Sequence, residues 1–186
     1  FNAITVDGDM STNDSVIIMA NSLAGNRTIR DAGRDFRAFR DRLTELAVCL
    51  ARMIVADGEG ATRTIETTVK GARTSADAKK VAGAIGSSLL VKCAVLGGDP
   101  NWGRIASSVG ASGVKVDPRR MKIRLDGKVF YSGGRSLTRT DRKSSKVFKG
   151  NEARIEVDLG QGKACYKVYS CDISDKYIKF NSYYTT

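Results

Sequence analysis

The chain contains no histidine. That excludes a Ser–His or Cys–His catalytic pair within its own residues and removes the commonest metal ligand. Proton transfer supported by this sequence must use carboxylates, lysines, an α-amine or water. No window reaches the ~18 consecutive apolar residues of a membrane span. The first residues, Phe1 to Met10, lack the basic and apolar regions of a signal peptide. An initiator methionine is also missing, so the sequence implies an N-terminus made by processing or truncation. No internal repeat and no low-complexity linker interrupts the chain.

The four cysteines, Cys49, Cys93, Cys165 and Cys171, form no C-x-x-C pair. Cys49 falls in a helix pattern and Cys93 in an apolar run, where a free thiol acts as a small hydrophobe. Cys165 and Cys171 lie in strand-like sequence, close enough along the chain to be neighbours. Reduced thiols and an intracellular compartment are the expectation.

Charge is the first positive feature: the formal net charge is +11, from 31 Lys+Arg against 20 Asp+Glu. Between Lys115 and Lys149, twelve basic residues face only Asp117, Asp126 and Asp141. Such a field suits nucleic acid, an acidic partner or a phosphorylated cosubstrate. It equally suits a solvated surface of strands and a loop. No recognition helix, zinc-finger spacing or RNA-binding aromatic signature accompanies it. A basic nucleic-acid-binding module therefore stands as an alternative, and it predicts steeply salt-dependent affinity.

Along the chain, Ile4 to Val6 reads as a short strand, and Val16 to Ala20 as a buried helix stopping by Gly25. Asp7, Asp9, Asn13 and Asp14 resemble a calcium loop superficially, but the glycine and glutamate of an EF-hand are missing. Helix capping and a polar turn explain them better. From Asp35, residues Phe36, Phe39, Leu43, Leu46, Leu50, Met53 and Ile54 recur at steps of three and four, an amphipathic helix of about five turns. A strand follows over Thr62 to Val69, closed by Gly71. Ser75 to Leu89 reads as a second helix. The run Leu89 to Leu96 fits a strand buried on both faces. A glycine-rich turn at Gly97 to Gly103, matching neither common nucleotide-binding pattern, leads to a helix near Ile105 to Val109. Alternation at Met121 to Leu125, Val129 to Tyr131, Ala153 to Leu159, Ala164 to Tyr169 and Tyr177 to Phe180 predicts antiparallel strands. Arg135 to Gly150 reads as a polar, basic loop. The fold class is α+β, with a division into 1–112 and 113–186 allowed near Gly113.

The stretch Ala56-Asp57-Gly58-Glu59-Gly60-Ala61-Thr62 joins the amphipathic helix to the following strand. Two glycines flank one carboxylate, which permits a tight turn and close approach to Glu59. Locally this reads as a helix stop. The tail from Asn181 to Thr186 carries Tyr183 and Tyr184 but no charged side chain, which suits docking more than fraying.

Several blocks in order resemble the β chain of the ornithine acetyltransferase/glutamate N-acetyltransferase family of arginine biosynthesis. They are Ile4 to Asp14, Asp57 to Thr62, Leu90 to Lys92, Asp99 to Ile105, Cys171-Asp172 and Tyr177 to Thr186. The resemblance implies an N-terminal-nucleophile-like α/β sandwich with helices packed on a largely antiparallel sheet. It also implies an acetyltransferase that cuts its own precursor. Such an enzyme moves acetyl from N2-acetylornithine to glutamate by a ping-pong route on an N-terminal threonine. No cofactor is implied, although acetyl-CoA can serve as cosubstrate. The implied partners are the α chain of the same precursor and a second αβ unit in a heterotetramer, with no nucleic acid and no membrane. The cytoplasm is the implied compartment, or a mitochondrion or plastid in a eukaryote.

By resemblance, Glu59, Asn181 and Thr186 are the substrate-binding positions. Glu59 would receive the amino group of ornithine or glutamate, while Asn181 and Thr186 hold the amino-acid end. Asp7, Asp9 and Asn13 are candidates for the site wall or for capping. Asp99, Asn101 and Arg104 read as structural around a turn. The nucleophilic threonine is expected upstream of Phe1, so no catalytic residue and no metal ligand is expected here, and this polypeptide alone is expected to be inactive. A related alternative is an N-terminal-nucleophile aminopeptidase; the Gly58-Glu59-Gly60-Ala61-Thr62 and Asn181-to-Thr186 matches argue against it.

Overall fold

The computed structural model describes residues 1–11, 13–137 and 147–183. Its centre is a six-stranded sheet built from β1 (Thr64–Ala72), β2 (Lys122–Leu125), β3 (Lys128–Ser132), β4 (Arg135–Ser136), β5 (Glu152–Asp158) and β6 (Ala164–Cys171). The strand order is β4-β3-β2-β5-β1-β6. Only β1 and β5 run parallel; the other neighbours are antiparallel. The sheet thus takes β1 from before residue 112 and all its other strands from after it. The α+β class and the largely antiparallel sheet are both present.

The sheet buries one face. Alternation along β1 and β5 sends Ile65, Val69, Ala153, Ile155 and Val157 inward, where they meet Val81, Ala82 and Ile85 of α2 (Ser75–Gly86). The helices α3 (Leu89–Leu96) and α4 (Trp102–Ala111) complete this layer with Val91, Val95, Ile105 and Val109. Burying these branched side chains supplies the main driving force, at roughly 1.5–3 kcal/mol each. On the opposite face Glu66, Lys70, Arg124, Glu152, Arg154, Glu156 and Lys167 alternate in sign. Lys167 pairs with Glu66 at 2.8 Å, Lys70 with Glu156 at 3.1 Å and Arg154 with Glu152 at 2.9 Å. Arg124 also bonds Glu156. Within the basic stretch Lys115 to Lys149, Arg124 is paired with Glu156 and Arg119 with Asp117, while Arg139, Arg142, Lys143 and Lys146 lie outside the described residues.

Three expectations about local structure are corrected. Leu89–Leu96 is the helix α3, not a strand. The Ser88 side chain accepts a hydrogen bond from Val91 N–H, an N-cap that starts a new turn directly after α2. Burial then follows Val91, Lys92, Ala94 and Val95, which is helical spacing, leaving Leu89, Leu90 and Cys93 exposed. The segment Tyr177 to Phe180 lies in α5 (Asp175–Tyr183), where Lys179 pairs with Asp175 one turn away at 3.2 Å. The stretch Val16 to Ala20 forms neither a helix nor a buried element: Ile17 is 77% exposed, and no regular structure surrounds it.

The predicted amphipathic helix is α1 (Arg34–Ala56), but only Ala51 and Val55 are buried. Phe39 is 58% and Met53 61% exposed, so the apolar stripe faces outward. The Ile4 strand reduces to one bridge to Tyr169. All four cysteines are free. Cys165 is exposed near the start of β6 and Cys171 buried at its end, separated by about 20 Å at strand rise. Among the described residues no helix is long and apolar enough to cross a membrane.

Candidate functional site

The helix α1 stops at Asp57, whose N–H reaches back to Met53 O, and Gly58 N–H then donates to Val55 O. Both glycines of the next turn are required by their surroundings. Gly60 has a φ of +66°, and a Cβ there would stand 2.6 Å from the Tyr177 amide nitrogen. A Cβ on Gly58 would lie 3.2 Å from Cys171 Sγ and from Val6 Cγ1. The turn is thus pressed between the N-terminal segment, the end of β6 and the start of α5. It is held there by side chains: Ser174 Oγ donates to Gly60 O at 2.6 Å. The Asp172 carboxylate accepts from Thr62 N–H at 2.8 Å, from Arg63 N–H at 3.0 Å and from the Thr62 hydroxyl. Asp172 is only 3% exposed, and these three donors are what make its burial tolerable.

This arrangement leaves Glu59 exposed at the crest of the turn, beside α5. Asn181 Nδ2 donates to Glu59 Oε2 at 2.7 Å and to Tyr177 O at 3.0 Å, so two residues 122 positions apart in the chain share one site. One turn earlier on α5, the Tyr177 hydroxyl donates to Asp7 Oδ2 at 3.1 Å. Burial and the neighbouring Asp7 carboxylate both raise the Tyr177 pKa, so the phenol stays protonated and able to donate. The helical spacing of Tyr177 and Asn181 is what aims both at the same wall; a strand would have sent them to the same face much further apart. Thr186, the third predicted position, lies outside the described residues.

The remaining candidates divide. Asp7 belongs to the wall through Tyr177. Asp9 instead turns its N–H onto Asp7 Oδ1 at 2.9 Å, and Asn13 bonds the Ser11 hydroxyl locally. Asn101 caps α4 by accepting from Arg104 N–H and donates to Asp99, while Arg104 reaches Leu90 O at 2.9 Å. Those three form a turn-and-cap unit, as their structural reading anticipated, with Asn101 as the cap. A cleft of about 400 Å³ between α1 and the charged sheet face, lined by Cys49, Arg52, Glu66, Glu152 and Tyr169 among others, contains neither Glu59 nor Asn181.

The sequence placed Lys92, Asp172 and Tyr177 in the resembling blocks without giving them a role and passed over Ser174; the fully buried Lys92 donates from Nζ to Val6 O at 2.6 Å and Cys171 O at 2.7 Å. Its signal was available: one lysine inside the otherwise apolar run Leu89 to Leu96. Chemically, the crest can present a carboxylate to a cationic amino group, flanked by an amide that can donate and accept.

Comparison with known proteins places this geometry in a wider set. The model of the ArgJ family matches residues 1–186. The arginine biosynthesis bifunctional protein ArgJ of Geobacter sulfurreducens is 45% identical over 192 residues, covering 100% of this chain and 48% of that protein. The glutamate N-acetyltransferase of Methanocaldococcus jannaschii is 44% identical over 196 residues, with 100% and 47% covered. The chain therefore spans about half the length of the curated relatives it matches. A crystal structure of the arginine biosynthesis bifunctional protein from Bacillus halodurans superposes with a TM-score of 0.92 at 37% identity, covering 99% of this chain and 87% of that one.

Proposed function

The chain belongs to the ArgJ family, and from that premise we propose that it is the β-chain half of an acetyltransferase that moves acetyl from N2-acetylornithine to glutamate. In this reading an N-terminal threonine hydroxyl, outside the present sequence, attacks the acetyl carbonyl and ornithine leaves with its amine. The glutamate amine then attacks the acyl-threonine ester and the hydroxyl is regenerated. The α-amine of that threonine, directly or through water, takes and returns the proton, which suits a chain without histidine. Acetyl-CoA can load the same threonine as an alternative donor, with no resident cofactor.

This chain contributes the binding wall. Glu59 receives the substrate ammonium through charge-assisted hydrogen bonds, Asn181 orients the Glu59 carboxylate, and by the family resemblance Thr186 is assigned to the amino-acid end. The observation that carries the reading is the 2.7 Å bond between Asn181 and Glu59, which joins two positions that the family resemblance singled out. The outward apolar stripe of α1 and the exposed Val16, Ile17, Ile18 and Met19 support a partner: the α chain of the same precursor, paired into a heterotetramer. The cytoplasm is the proposed compartment, with the mitochondrion as the variant suggested by a relative from Heterostelium pallidum that is named mitochondrial.

The test is Glu59→Gln in the assembled enzyme. Losing one charged hydrogen bond of about 1.5–3 kcal/mol predicts a fall of roughly 10- to 150-fold in kcat/KM for N2-acetylornithine. An unchanged kcat/KM removes Glu59 from the site.

A further inference from the structure

Among the described residues, the large fully buried side chains include one lysine. Lys92 on α3 is 1% exposed, and burial lowers its pKa while Cys171, Asp7 and Asp172 act in the opposite sense. No carboxylate bonds it directly; its two hydrogen bonds go to the backbone carbonyls of Val6 and Cys171. An apolar residue would fill this space without the desolvation cost of an ammonium, so its place here calls for another explanation.

The next residue after each carbonyl supplies that explanation. Val6 immediately precedes Asp7, which accepts from Tyr177 on α5. Cys171 immediately precedes Asp172, which holds Thr62 and Arg63 at the downstream end of the Glu59 turn. Gly58, at its upstream end, fits between Val6 Cγ1 and Cys171 Sγ. The N-terminal segment and the β6–α5 junction thus meet at one ammonium, and the Glu59 turn packs, through Gly58, against the two residues it bridges. None of these three segments is joined to another by regular sheet pairing beyond the single bridge from Ile4 to Tyr169 and the end of the β1–β6 ladder.

We propose that Lys92 is a positioning residue for substrate binding: by bridging Val6 O and Cys171 O it sets the distance between Asp7–Tyr177 and Glu59–Asn181, the two halves of the binding wall. The inference rests on the acetyltransferase reading of this site. Lys92 touches no substrate; it fixes the segments that do. Replacing it by an isosteric apolar chain takes this donor from the Val6 and Cys171 carbonyls and leaves the N-terminal segment tied to β6 through the Ile4–Tyr169 bridge, upstream of Asp7.

The experiment uses the assembled enzyme, this chain together with the remainder of its precursor, and compares Lys92→Met, Ile155→Ala and Glu59→Gln. Lys92→Met raises KM for both N2-acetylornithine and glutamate by about tenfold or more, while kcat falls less than about threefold. Ile155→Ala, a core truncation within β5, lowers the melting temperature but leaves both KM values unchanged. Unchanged KM values in Lys92→Met, or an equal rise in Ile155→Ala, overturn the proposal. If Glu59→Gln leaves KM and kcat/KM unaltered, the binding-wall reading itself fails; if Glu59→Gln is impaired and Lys92→Met is not, only the role of Lys92 fails. Should Lys92→Met not assemble, hydrogen exchange on the unmutated enzyme decides. N2-acetylornithine then protects residues 4–9 and 170–176 together with 57–63. Protection confined to 57–63 overturns the coupling.

Discussion

Two regions of this chain carry apolar residues in regular patterns and use them in opposite ways. In the body, β1, β5 and α2 turn Ile65, Val69, Ile155, Val81 and Ile85 inward, each at most 1% exposed. In α1 the pattern is as regular, yet Phe36, Phe39, Leu46, Leu50 and Met53 face outward. The difference is in partners. The strands and α2 find each other within this chain, whereas α1 touches the sheet mainly through Ala51, Val55 and Arg52. Periodicity reports that a face is to be covered and does not say by what.

The largest effect that tests this contrast is in the body. Ile155→Ala removes a fully buried side chain from the core face of the sheet and is expected to cost about 2–5 kcal/mol in denaturant titration. A smaller loss would mean that the core is looser than its burial implies. Next comes the junction between the two regions. Gly60→Ala places a methyl group against the Tyr177 amide at a left-handed φ, and is expected to cost about 1–3 kcal/mol and to move α5. Loss of stability without loss of substrate affinity would separate the turn from the binding wall.

A pH measurement probes the charged face of the sheet. Burial pushes the Glu156 carboxyl up, but its bonds from Lys70 and Arg124 outweigh that and hold it below the ordinary glutamate value. Its contribution is therefore present above the unfolded value and lost as pH falls through the folded one. Glu156→Gln should flatten the acid limb of a stability profile measured between about pH 5 and pH 2, as expected of a depressed carboxyl. An unchanged limb would mean that the pair is fully solvent-screened. The smallest stability effect is expected at Phe39→Ala, within about 0.5 kcal/mol. In contrast, Phe39→Asp should abolish co-purification with the proposed α-chain partner; retained co-purification would assign the α1 face to something else.

Much of the body was legible because one face of the sheet is buried and the other solvated, so period-two alternation survives in β2, β3, β5 and β6. Leu89 to Leu96 escaped for the reason that a short apolar run has no polar face to reveal its period. The deciding residue was Ser88, a cap just outside the run. Tyr177 to Phe180 misled in a different way, since tyrosine, isoleucine, lysine and phenylalanine in succession satisfy a strand as well as the start of a helix. Glu59 was visible through its flanking glycines together with the family resemblance, and Asn181 through the resemblance. The residues that hold the turn, Asp172, Ser174 and Lys92, act through backbone groups more than 70 positions away in the chain or, for Lys92, on both sides of it. No local pattern encodes a bond of that kind.

The position of β1 has a consequence in time. Its two neighbours place Thr64 opposite Glu152 on one side and Cys171 on the other, so the strand that follows the Glu59 turn pairs only with segments far downstream of it. Topologies dominated by such distant pairings fold slowly. The Glu59–Asn181 bond cannot form on a nascent chain that has not yet released α5, and a translation product truncated before β6 would leave β1 with an open edge. Release of β6 and α5 is thereby a checkpoint for bringing Glu59 and Asn181 together, set by strand order.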